Sequence, residues 1–582
     1  MVADQQHLTM FLENVSPDPS ALGFNSSVPA CEWPGIVCSQ QQRISSITIN
    51  GKGLKGTIPP GTLGMLSSLK VLDLVNNSLM GEIPSDIGNL TSLTFLLLAY
   101  NNLNGSIPSS IGSLGQLKLL DLSFNELVGE IPVSFNKLWS LQLLNLKENH
   151  LSGSLPLLQS SWDLEVLDVS SNLLTGGIPP QVLNFCVRLQ VLNLSNNGLS
   201  GNVPFEITKL NLEFLDLSYN NLWGSLPPEI GNCTQLRLLN VQGNQITGLV
   251  PDEIGGLRNL ECLGLGKNQL YGNLPQSLTM CTELYLLDAS RNQFSGLIPS
   301  WLSKLQRLQF LVMHSNSFTG DIPIELFSSS SNLLHLDLGH NNLTGFIPPE
   351  IGNLVALRFL RLSRNQLTGS VPSTIGNLSQ VTAIDLSGNL LTGSIPATIG
   401  ELQNLLWLQM SENLLSGSIP GELSNCGSLL QKLQTLDLSH NNLSGGIPSS
   451  IVNLTALSLF NISYNPDLTG PLPEANQFVT FGPDIYVGDT KLCFYLNPTW
   501  ENVSAWTGDN LPERCPTDPS SSGNSGFAAA PASAVMPKHL KLIVTLTVSV
   551  LGCLTALLLV LSGLLLNNLQ FWVNCWWEKY RN

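Results

Sequence analysis

The sequence predicts an α/β solenoid, a coiled stack of short repeats, and three observations support this fold class. One template, L-x-x-L-x-L-x-x-N-x-L-x-G-x-I-P, recurs from Ile47 to Pro473. Apolar residues make up 43% of the chain and charged residues only 11%, against about 25% charged residues in a typical soluble domain. Gly (50 residues) and Pro (35 residues) punctuate the chain at regular intervals. The pattern therefore indicates one large repetitive domain within the 582 residues.

The asparagine column of the template sets the register of the repeats. Successive asparagines lie 23 to 25 residues apart, except for the interval of 28 between Asn413 and Asn441. Lys52 occupies this column in a degenerate first copy, which gives 18 repeats, numbered here from the N-terminus. This period and template are typical of leucine-rich repeats. The column contains Asn77, Asn101, Asn125, Asn149, Asn172, Asn197, Asn220, Asn244, Asn268, Asn292, Asn316, Asn341, Asn365, Asn389, Asn413, Asn441 and Asn465.

Each column of the template suits one element of a coiled repeat. The apolar residues of L-x-L alternate with polar residues, which predicts a short strand with one face inward. The asparagine leaves the strand where its amide can pair with backbone groups of the turn and the neighbouring coil. Glycine permits the turn that follows, and proline delays the start of a helix. Stacked copies predict a curved parallel sheet with strands about 4.8 Å apart and a cap at each end.

Cysteine motifs flank the repeats at both ends. CEWPGIVC spans Cys31 to Cys38 before the first repeat, and Cys493 and Cys515 follow the last one. Together with the G-x-I-P tails, these motifs resemble the extracellular part of plant-type leucine-rich-repeat receptors, over roughly residues 4 to 566. The resemblance implies disulfides between Cys31 and Cys38 and between Cys493 and Cys515. Such disulfides imply an extracellular location.

A second signal lies near the C-terminal end. Residues 542–566 are 25 residues without charge, about 37 Å long as a helix and enough to cross a bilayer. An aromatic belt between Phe571 and Tyr580 follows them. We therefore predict a single-pass plasma membrane protein that contacts lipid through one helix, with its N-terminus outside the cell. Residues 1–15 have neither the basic nor the apolar region of a signal peptide, so we expect either that the true start lies upstream or that Met1 belongs to a truncated copy.

These signals predict six consecutive segments. Composition shifts from the repeats to a Ser-, Gly- and Ala-rich tether, and then to the apolar run. The segments are an N-terminal cap at 1–42, leucine-rich repeats at 43–475, a C-terminal cap at 476–516, a juxtamembrane linker at 517–541, a transmembrane helix at 542–566 and a cytoplasmic tail at 567–582.

The sequence offers no catalytic constellation. No V-A-I-K, H-R-D or D-F-G kinase motif occurs, and the expected tail of 16 residues is far below domain size. Gly51, Gly53 and Gly56 spell G-x-G-x-x-G, but they coincide with the turn columns of the first repeat. The seven histidines have no metal-ligand spacing. We predict a protein that is not an enzyme and needs no cofactor or metal, and its net charge of −16 argues against a nucleic-acid partner.

Three functions fit the resemblance. The leading one is a cell-surface receptor-like protein that binds an extracellular peptide or protein ligand and signals through a membrane-bound partner kinase or adaptor. The second is a leucine-rich-repeat receptor-like serine/threonine kinase truncated before its kinase domain. The third is a wall-associated inhibitor of secreted polysaccharide hydrolases, against which the predicted membrane span argues.

The expected ligand surface is the concave face of the repeats. Its solvent-facing positions lie six, four and two residues before each asparagine, with one more directly before it. Most repeats fill these positions with Asp and Ser, which we interpret as scaffold. A cluster of cations and aromatic residues in repeats 10 to 16 predicts instead a ligand with an acidic group, near Arg361 and Arg364. The candidate residues are Lys267, Arg291, Phe310, Val312, His314, His335, His340, Phe359, Arg361, Arg364, Trp407 and Gln409.

Two alternatives apply to this surface. Sequence drift between repeats would produce the same departures from the Asp and Ser consensus. The receptor family's Arg-x-Arg clamp for peptide C-termini would also require an arginine at Phe359, so this chain departs from that pattern.

Cysteines and glycosylation sequons also occur within the repeats. Cys186, Cys233, Cys281 and Cys426 share one column, but no two lie in adjacent coils, so we interpret them as small buried apolar residues. Sequons at Asn193 and Asn461 would place a glycan on the concave face. The glycosylation candidates are Asn89, Asn232, Asn342, Asn377, Asn442 and Asn453.

Overall fold

The described part of the computed structural model is a solenoid of stacked coils, which confirms the predicted repeat fold. It belongs to one compact unit, Met1–Cys515. None of the helices that the structure describes is long and apolar enough to cross a membrane. The linker, transmembrane helix and tail predicted at 517–541, 542–566 and 567–582 lie outside the described residues. The structure describes residues 2–16, 18–328, 332–426, 433–473, 475–494 and 513–515.

The main sheet has 19 strands and runs along the whole solenoid. Its first strand, Ile36–Cys38, belongs to the N-terminal cap and pairs antiparallel with the strand of repeat 1. The strands of the repeats pair parallel and in sequence order. Residues at the same template position lie directly opposite each other in neighbouring strands. The strands of repeats 1 to 18 are Ile44–Thr48, Val71–Asp73, Phe95–Leu97, Leu119–Asp121, Leu143–Asn145, Val166–Asp168, Val191–Asn193, Phe214–Asp216, Leu238–Asn240, Cys262–Gly264, Leu286–Asp288, Phe310–Val312, His335–Asp337, Phe359–Arg361, Ala383–Asp385, Trp407–Gln409, Thr435–Asp437 and Leu459–Asn461.

A second row of strands follows the asparagine column, where the sequence predicted only a turn. These strands form three sheets, with five strands in repeats 1 to 5, eight in repeats 6 to 13 and three in repeats 16 to 18, while isolated bridges connect repeats 13 to 15. We call this row as a whole the lateral sheet. The glycine of the template ends or interrupts these strands in the left-handed conformation, as at Gly272 (φ 79°). Its strands are Lys55–Thr57, Ser78–Glu82, Asn102–Ser106, Glu126–Glu130, His150–Ser152, Thr175–Gly177, Gly198–Gly201, Asn221–Gly224, Gln245–Gly248, Gln269–Gly272, Gln293–Leu297, Ser317–Gly320, Asn342–Leu343, Ser416–Gly417, Asn442–Gly445 and Asp467–Leu468, followed in the C-terminal cap by Gly470–Pro471, Leu492–Phe494 and Glu513–Arg514.

Short helices form the side of the solenoid opposite the main sheet. Proline usually stands directly before them with extended backbone, so the turn begins only after the G-x-I-P tail, as at Pro84 (φ −68°). The two α-helices are Val2–Val15 in the N-terminal cap and Pro180–Phe185 in repeat 6. The 3₁₀ helices are Pro19–Leu22, Ala30–Glu32, Leu63–Met65, Ser85–Asn89, Ser109–Ser113, Val133–Lys137, Phe205–Lys209, Pro228–Asn232, Asp252–Gly256, Gln276–Met280, Ser300–Lys304, Ile324–Phe327, Pro349–Asn353, Ser373–Asn377, Ala397–Glu401, Gly421–Asn425, Ser449–Asn453, Asn476–Thr480 and Pro483–Tyr486.

A ladder of buried asparagine side chains joins adjacent coils. In repeat 8, the Nδ2 of Asn220 donates to the carbonyls of Leu217 (3.1 Å) and Ser218 (3.1 Å) in its own turn. The same nitrogen donates to the carbonyl of Leu194 in repeat 7 (2.9 Å), and its Oδ1 accepts from the N–H of Leu199 (3.0 Å). Other repeats show the same pattern, as at Asn413. The role that the sequence predicted for this column is thus confirmed.

The cysteines divide into caps and core. The predicted disulfides between Cys31 and Cys38 and between Cys493 and Cys515 are both present. The thiols at Cys186, Cys233, Cys281 and Cys426 are free and buried at the ends of the short helices, which confirms the apolar interpretation. Burial raises the pKa of the Cys186 thiol to about 12, which leaves it unreactive.

The C-terminal cap begins with a nineteenth ladder position. Asp489 lies 24 residues after Asn465 and follows Gly488, which has the left-handed φ (86°) of residues that precede ladder asparagines. Its Oδ1 accepts the N–H of Asn465 (2.6 Å), while its buried Oδ2 has no hydrogen-bond partner among the described residues. In the repeats the corresponding atom is an amide nitrogen that donates. Burial raises the pKa of Asp489 to about 7, because the carboxylate loses its hydration there, and the hydrogen bond from the N–H of Asn465 offsets this only in part.

We expect Asp489→Asn to stabilise the protein above neutral pH. The folded pKa of about 7 lies above the ordinary 3.8, so the stability that the bound proton supplies is complete below about pH 3.8 and is lost as pH rises through 7. The amide removes this loss, and the free energy of unfolding at pH 8 should rise by about 2 kcal/mol. Urea denaturation at pH 5 and pH 8 measures it. Asp467→Asn, at an exposed ion pair with Lys491, is the control; an equal gain there would contradict the assignment.

Candidate ligand-binding face

The predicted ligand residues lie on one face of the main sheet and along its edge. We call this surface, the side opposite the apolar core in repeats 10 to 16, the candidate face. Six residues before each asparagine, Phe310, His335 and Phe359 occupy directly opposite positions of adjacent strands. Trp407 continues this row beyond Ala383. Side chains distant in sequence therefore form one continuous row across the strands.

Three rings in this row stack on one another. The centroids of His335 and Phe359 are 4.3 Å apart with an interplanar angle of 5°, and those of Phe310 and His335 are 6.3 Å apart at 29°. Trp407 lies two strands further along, where its indole N–H donates to the hydroxyl of Thr435. Phe310, Phe359 and Trp407 remain partly exposed. The row thus offers flat apolar contact area to a ligand.

The next row, four residues before the asparagine, places Arg361 between two carboxylates. Asp337 and Asp385 lie directly opposite it in the neighbouring strands. The guanidinium is 3.6 Å from Asp337 through Nη1 and 3.3 Å from Asp385 through Nε, and Nε also donates to the Ser363 hydroxyl (3.1 Å). Burial raises the pKa of Asp337, against which the charge of Arg361 acts. Arg361 is therefore an internal counter-ion, which sequence reasoning missed.

The remaining basic residues line one edge of the candidate face. Lys267, Arg291, His340 and Arg364 directly precede their asparagines, and all four have left-handed backbone (φ 51–54°). Lys267, Arg291 and Arg364 are exposed, and the Nζ of Lys267 lies 5.5 Å from the centre of the Tyr219 ring. Exposed charges in a single column favour electrostatic attraction of an acidic ligand.

The three histidines supply rings rather than charge. Burial lowers the pKa of His314, His335 and His340 to about 4 in each case. Nearby arginines lower it further, while Asp288 acts in the opposite direction at His314. These side chains are therefore neutral above about pH 5. The positive charge of the candidate face resides in its lysine and arginines.

Val312 and Gln409 share the row of Arg361 but differ in exposure. Val312 is buried (6% exposed), so it supports the strand rather than offering a contact. Gln409 is partly exposed opposite Asp385 and Asp437. Of these two candidate residues, only Gln409 presents polar surface to a ligand.

The consensus Asp and Ser residues have a structural role, because they hydrogen-bond to one another and to the neighbouring coil. The N–H and hydroxyl of Ser170 both donate to Asp168, and the Nδ2 of Asn193 donates to the same carboxylate (3.1 Å). Burial raises the pKa of Asp216, one further strand along, to about 6. Asn193 is 1% exposed, so its sequon does not present a free amide in the folded protein. In the described part of the chain, no three His, Cys, Asp or Glu side chains gather as a metal site requires.

All six predicted glycosylation candidates have exposed side chains. Four of them end 3₁₀ helices on the side opposite the main sheet, which keeps glycans there away from the candidate face. The other two begin strands of the lateral sheet. Glycosylation at these positions, Asn89, Asn232, Asn377, Asn453, Asn342 and Asn442, remains a prediction.

Comparison with known proteins identifies the repeats independently. A leucine-rich-repeat family profile covering more than one repeat matches residues 315–367. A profile of the single leucine-rich repeat matches residues 68–90, 92–114, 116–138, 163–185, 188–210, 211–233, 235–257, 283–305, 380–402 and 432–454.

Relatives of the chain are plant receptors. An inactive leucine-rich-repeat receptor-like serine/threonine-protein kinase of Arabidopsis thaliana is 40% identical over 88 residues, which span 15% of this chain and 14% of that relative's length. The plant peptide hormone receptor RGFR1, solved in complex with RGF2, is 34% identical with a TM-score of 0.63, over 80% of this chain and 84% of that one.

A third relative has been solved with two partners. The Arabidopsis receptor kinase HAESA, in complex with the peptide hormone IDA and the co-receptor SERK1, is 30% identical with a TM-score of 0.54. The similarity covers 85% of this chain and 99% of that chain. With the repeats, both disulfide caps and this extent of similarity established, the chain belongs to the leucine-rich-repeat receptor family of plants.

Proposed function

We propose that this chain is a cell-surface receptor-like protein that binds an extracellular peptide or protein ligand on the candidate face. The observation that carries the proposal is the stack of Phe310, His335 and Phe359 beside the exposed cations of Arg291 and Arg364. An apolar row next to a charged edge suits an extended peptide that lays side chains on the rings and an acidic group against the edge. The solved RGFR1 and HAESA complexes, which contain peptide hormones, support this class of ligand.

Signalling in this proposal requires a partner. The predicted location is the plasma membrane, with one helix at 542–566 in the lipid. In this proposal, phosphorylation comes from a membrane-bound kinase or adaptor. The co-receptor SERK1 in the HAESA complex supports a partner of this kind. Purification of the full chain from plant membranes should recover such a kinase, and ligand response in cells without one would contradict it.

We expect reversal of two edge charges to weaken ligand binding by about tenfold or more. The double variant Arg291→Glu and Arg364→Glu turns the attractive edge into a repulsive one without touching the ion pairs of Arg361. Peptides with acidic residues, selected from a synthetic library by the full wild-type chain, are the probe. Titration calorimetry at low and high salt measures affinity, and the loss should be larger at low salt.

A matched variant separates the effect of the edge charges on binding from the effect of the net charge. Arg258→Glu with Lys304→Glu changes the net charge by the same amount at exposed positions next to the short helices. The selected peptides should bind it as they bind the wild type. Equal loss in both double variants, or unchanged affinity in the edge variant, would contradict the proposed site.

A further inference from the structure

Large apolar side chains are exposed in or shortly after the lateral strands of repeats 8 to 13. Trp223 is 52% exposed, Leu249 57%, Tyr271 48%, Leu297 67% and Phe346 57%. We call these five side chains the lateral stripe. The corresponding positions of later repeats carry Ser and Thr, as at Thr368 and Ser370. Large apolar side chains exposed on neighbouring repeats of one side of the solenoid favour a binding surface.

Two of the three rings of the stripe, Trp223 and Tyr271, lie beside carboxamides. Trp223 is directly opposite Gln245 in the neighbouring strand, and Tyr271 is directly opposite Gln293. A row of exposed amides runs along the same sheet through Asn221, Gln245, Gln269 and Gln293. In the part of the chain that the structure describes, these amide side chains make no hydrogen bond to the protein, so their donors and acceptors face solvent.

The lateral strands that carry the two rings, and the lateral strands next to them, contain no charged side chain. The lateral strands of repeats 8 to 11, Asn221–Gly224, Gln245–Gly248, Gln269–Gly272 and Gln293–Leu297, contain no ionisable side chain apart from Tyr271. A chain with a net charge of −16 repels acidic polymers, and a face without arginine lacks a residue that protein interfaces favour. The chemistry therefore favours a large neutral partner rich in hydroxyl groups.

We propose that the lateral stripe binds a neutral β-linked polysaccharide whose chain crosses the strands along the solenoid. The C–H face of a pyranose ring packs on an aromatic face, and its hydroxyls pair with amides beside the ring. Trp223 and Tyr271 occupy the same template position two repeats apart, about 9.6 Å at the usual strand spacing. That interval is close to the length of a disaccharide unit in an extended β-1,4-glucan. Alternate sugars of such a chain present the same face to successive rings.

The test uses the purified full chain and a β-1,4-linked glucose hexamer as the probe. Calorimetry should detect binding that is insensitive to salt, because no charges take part. Trp223→Ala and Tyr271→Ala should each weaken it by about tenfold or more. Trp139→Ala is the matched control, since this tryptophan is equally exposed (56%) but follows the short helix Val133–Lys137. The α-1,4-linked hexamer, whose chain coils, should bind more weakly.

Three results would overturn the assignment. The first is absence of binding of the β-linked hexamer to the folded wild-type chain. The second is equal loss of binding in Trp139→Ala, which would show that any exposed tryptophan contributes. The third is concentration-dependent dimerisation that Trp223→Ala abolishes, which would show that a second copy of the chain occupies the stripe. Peptide binding to the Arg291→Glu and Arg364→Glu variant is a separate readout, so this proposal and the proposed receptor function fail independently.

Discussion

Replacing Asn220 with alanine is expected to lower the free energy of unfolding by about 3 kcal/mol or more. The amide satisfies the N–H of Leu199 and the carbonyls of Leu194, Leu217 and Ser218, all within 3.1 Å. Asn220 is only 6% exposed, so water cannot replace it without opening the coil. Each buried polar group left unpaired costs about 1–3 kcal/mol, and the N–H of Leu199 loses its acceptor outright.

The damage should be local in position but large in effect. Each repeat contacts only its neighbours, so weakening the junction of repeats 7 and 8 divides the stack into two shorter arrays. Hydrogen exchange should show lost protection first in Val191–Asn193 and Phe214–Asp216. Urea denaturation measures the total loss of stability.

Asn221→Ala is the matched control for this prediction. Asn221 follows Asn220 directly in sequence, but its side chain is exposed. Its replacement should change stability by no more than about 0.5 kcal/mol. If both variants unfolded at the same denaturant concentration, the ladder would not be the source of stability.

The main sheet was predictable because its signals repeat in register. L-x-L alternation gives the strand, and the asparagine column gives the junction between coils, as Asn220 shows. The lateral sheet was not predicted, because N-x-L-x-G contains one apolar residue and a glycine and therefore has no strand periodicity. Its strands form because stacking places their backbone groups opposite one another, as between Gly272 and Phe294.

Parts of the candidate face could be predicted from the sequence by comparing the same template position in consecutive repeats. Asp337, Arg361 and Asp385 occupy the same template position in three consecutive repeats, so their ion pairs follow from the register. Asp489 likewise stands at the ladder interval after Asn465. The ion pairs were missed because the consensus aspartates were interpreted as uniform scaffold, and Asp489 was missed because asparagine defined its column.

The charge state of the histidines could not be predicted from sequence. His335 is 7% exposed because Phe310 and Phe359 cover its ring on both sides, and that burial lowers its pKa to about 4. Exposure of a strand residue depends on the size of the side chains opposite it in the two adjacent coils. The template shows which way the side chain points but not how deeply it is covered.

Replacing Arg43 with methionine is expected to destabilise the N-terminal cap by about 3 kcal/mol. Asp4 of the cap helix Val2–Val15 is 2% exposed, and Arg43 donates to both of its oxygens through Nε (2.8 Å) and Nη2 (2.9 Å). The N–H of Ile44, at the start of repeat 1, donates to the same carboxylate (3.1 Å). Methionine would leave a buried charge with a single hydrogen bond, and the helix would lose its attachment to the first coil.

The dependence of this effect on pH distinguishes the ion pair from simple packing. Burial alone would raise the pKa of Asp4, but the hydrogen bonds from Arg43 and Ile44 outweigh it and hold the pKa below the ordinary 3.8. In the wild type, the stability from this group is present above about pH 3.8 and is lost as pH falls through the lower folded pKa. In Arg43→Met, burial acts without the guanidinium, so the pKa of Asp4 rises and protonation at acid pH relieves the strain. The difference in unfolding free energy between wild type and Arg43→Met should therefore be largest near pH 7 and shrink towards pH 3.

Arg188→Met is the control for this prediction. It removes an exposed ion pair with Asp163 (3.0 Å) and should lower the free energy of unfolding by less than about 1 kcal/mol. A difference that stayed constant with pH would show that Arg43 acts through its packing alone.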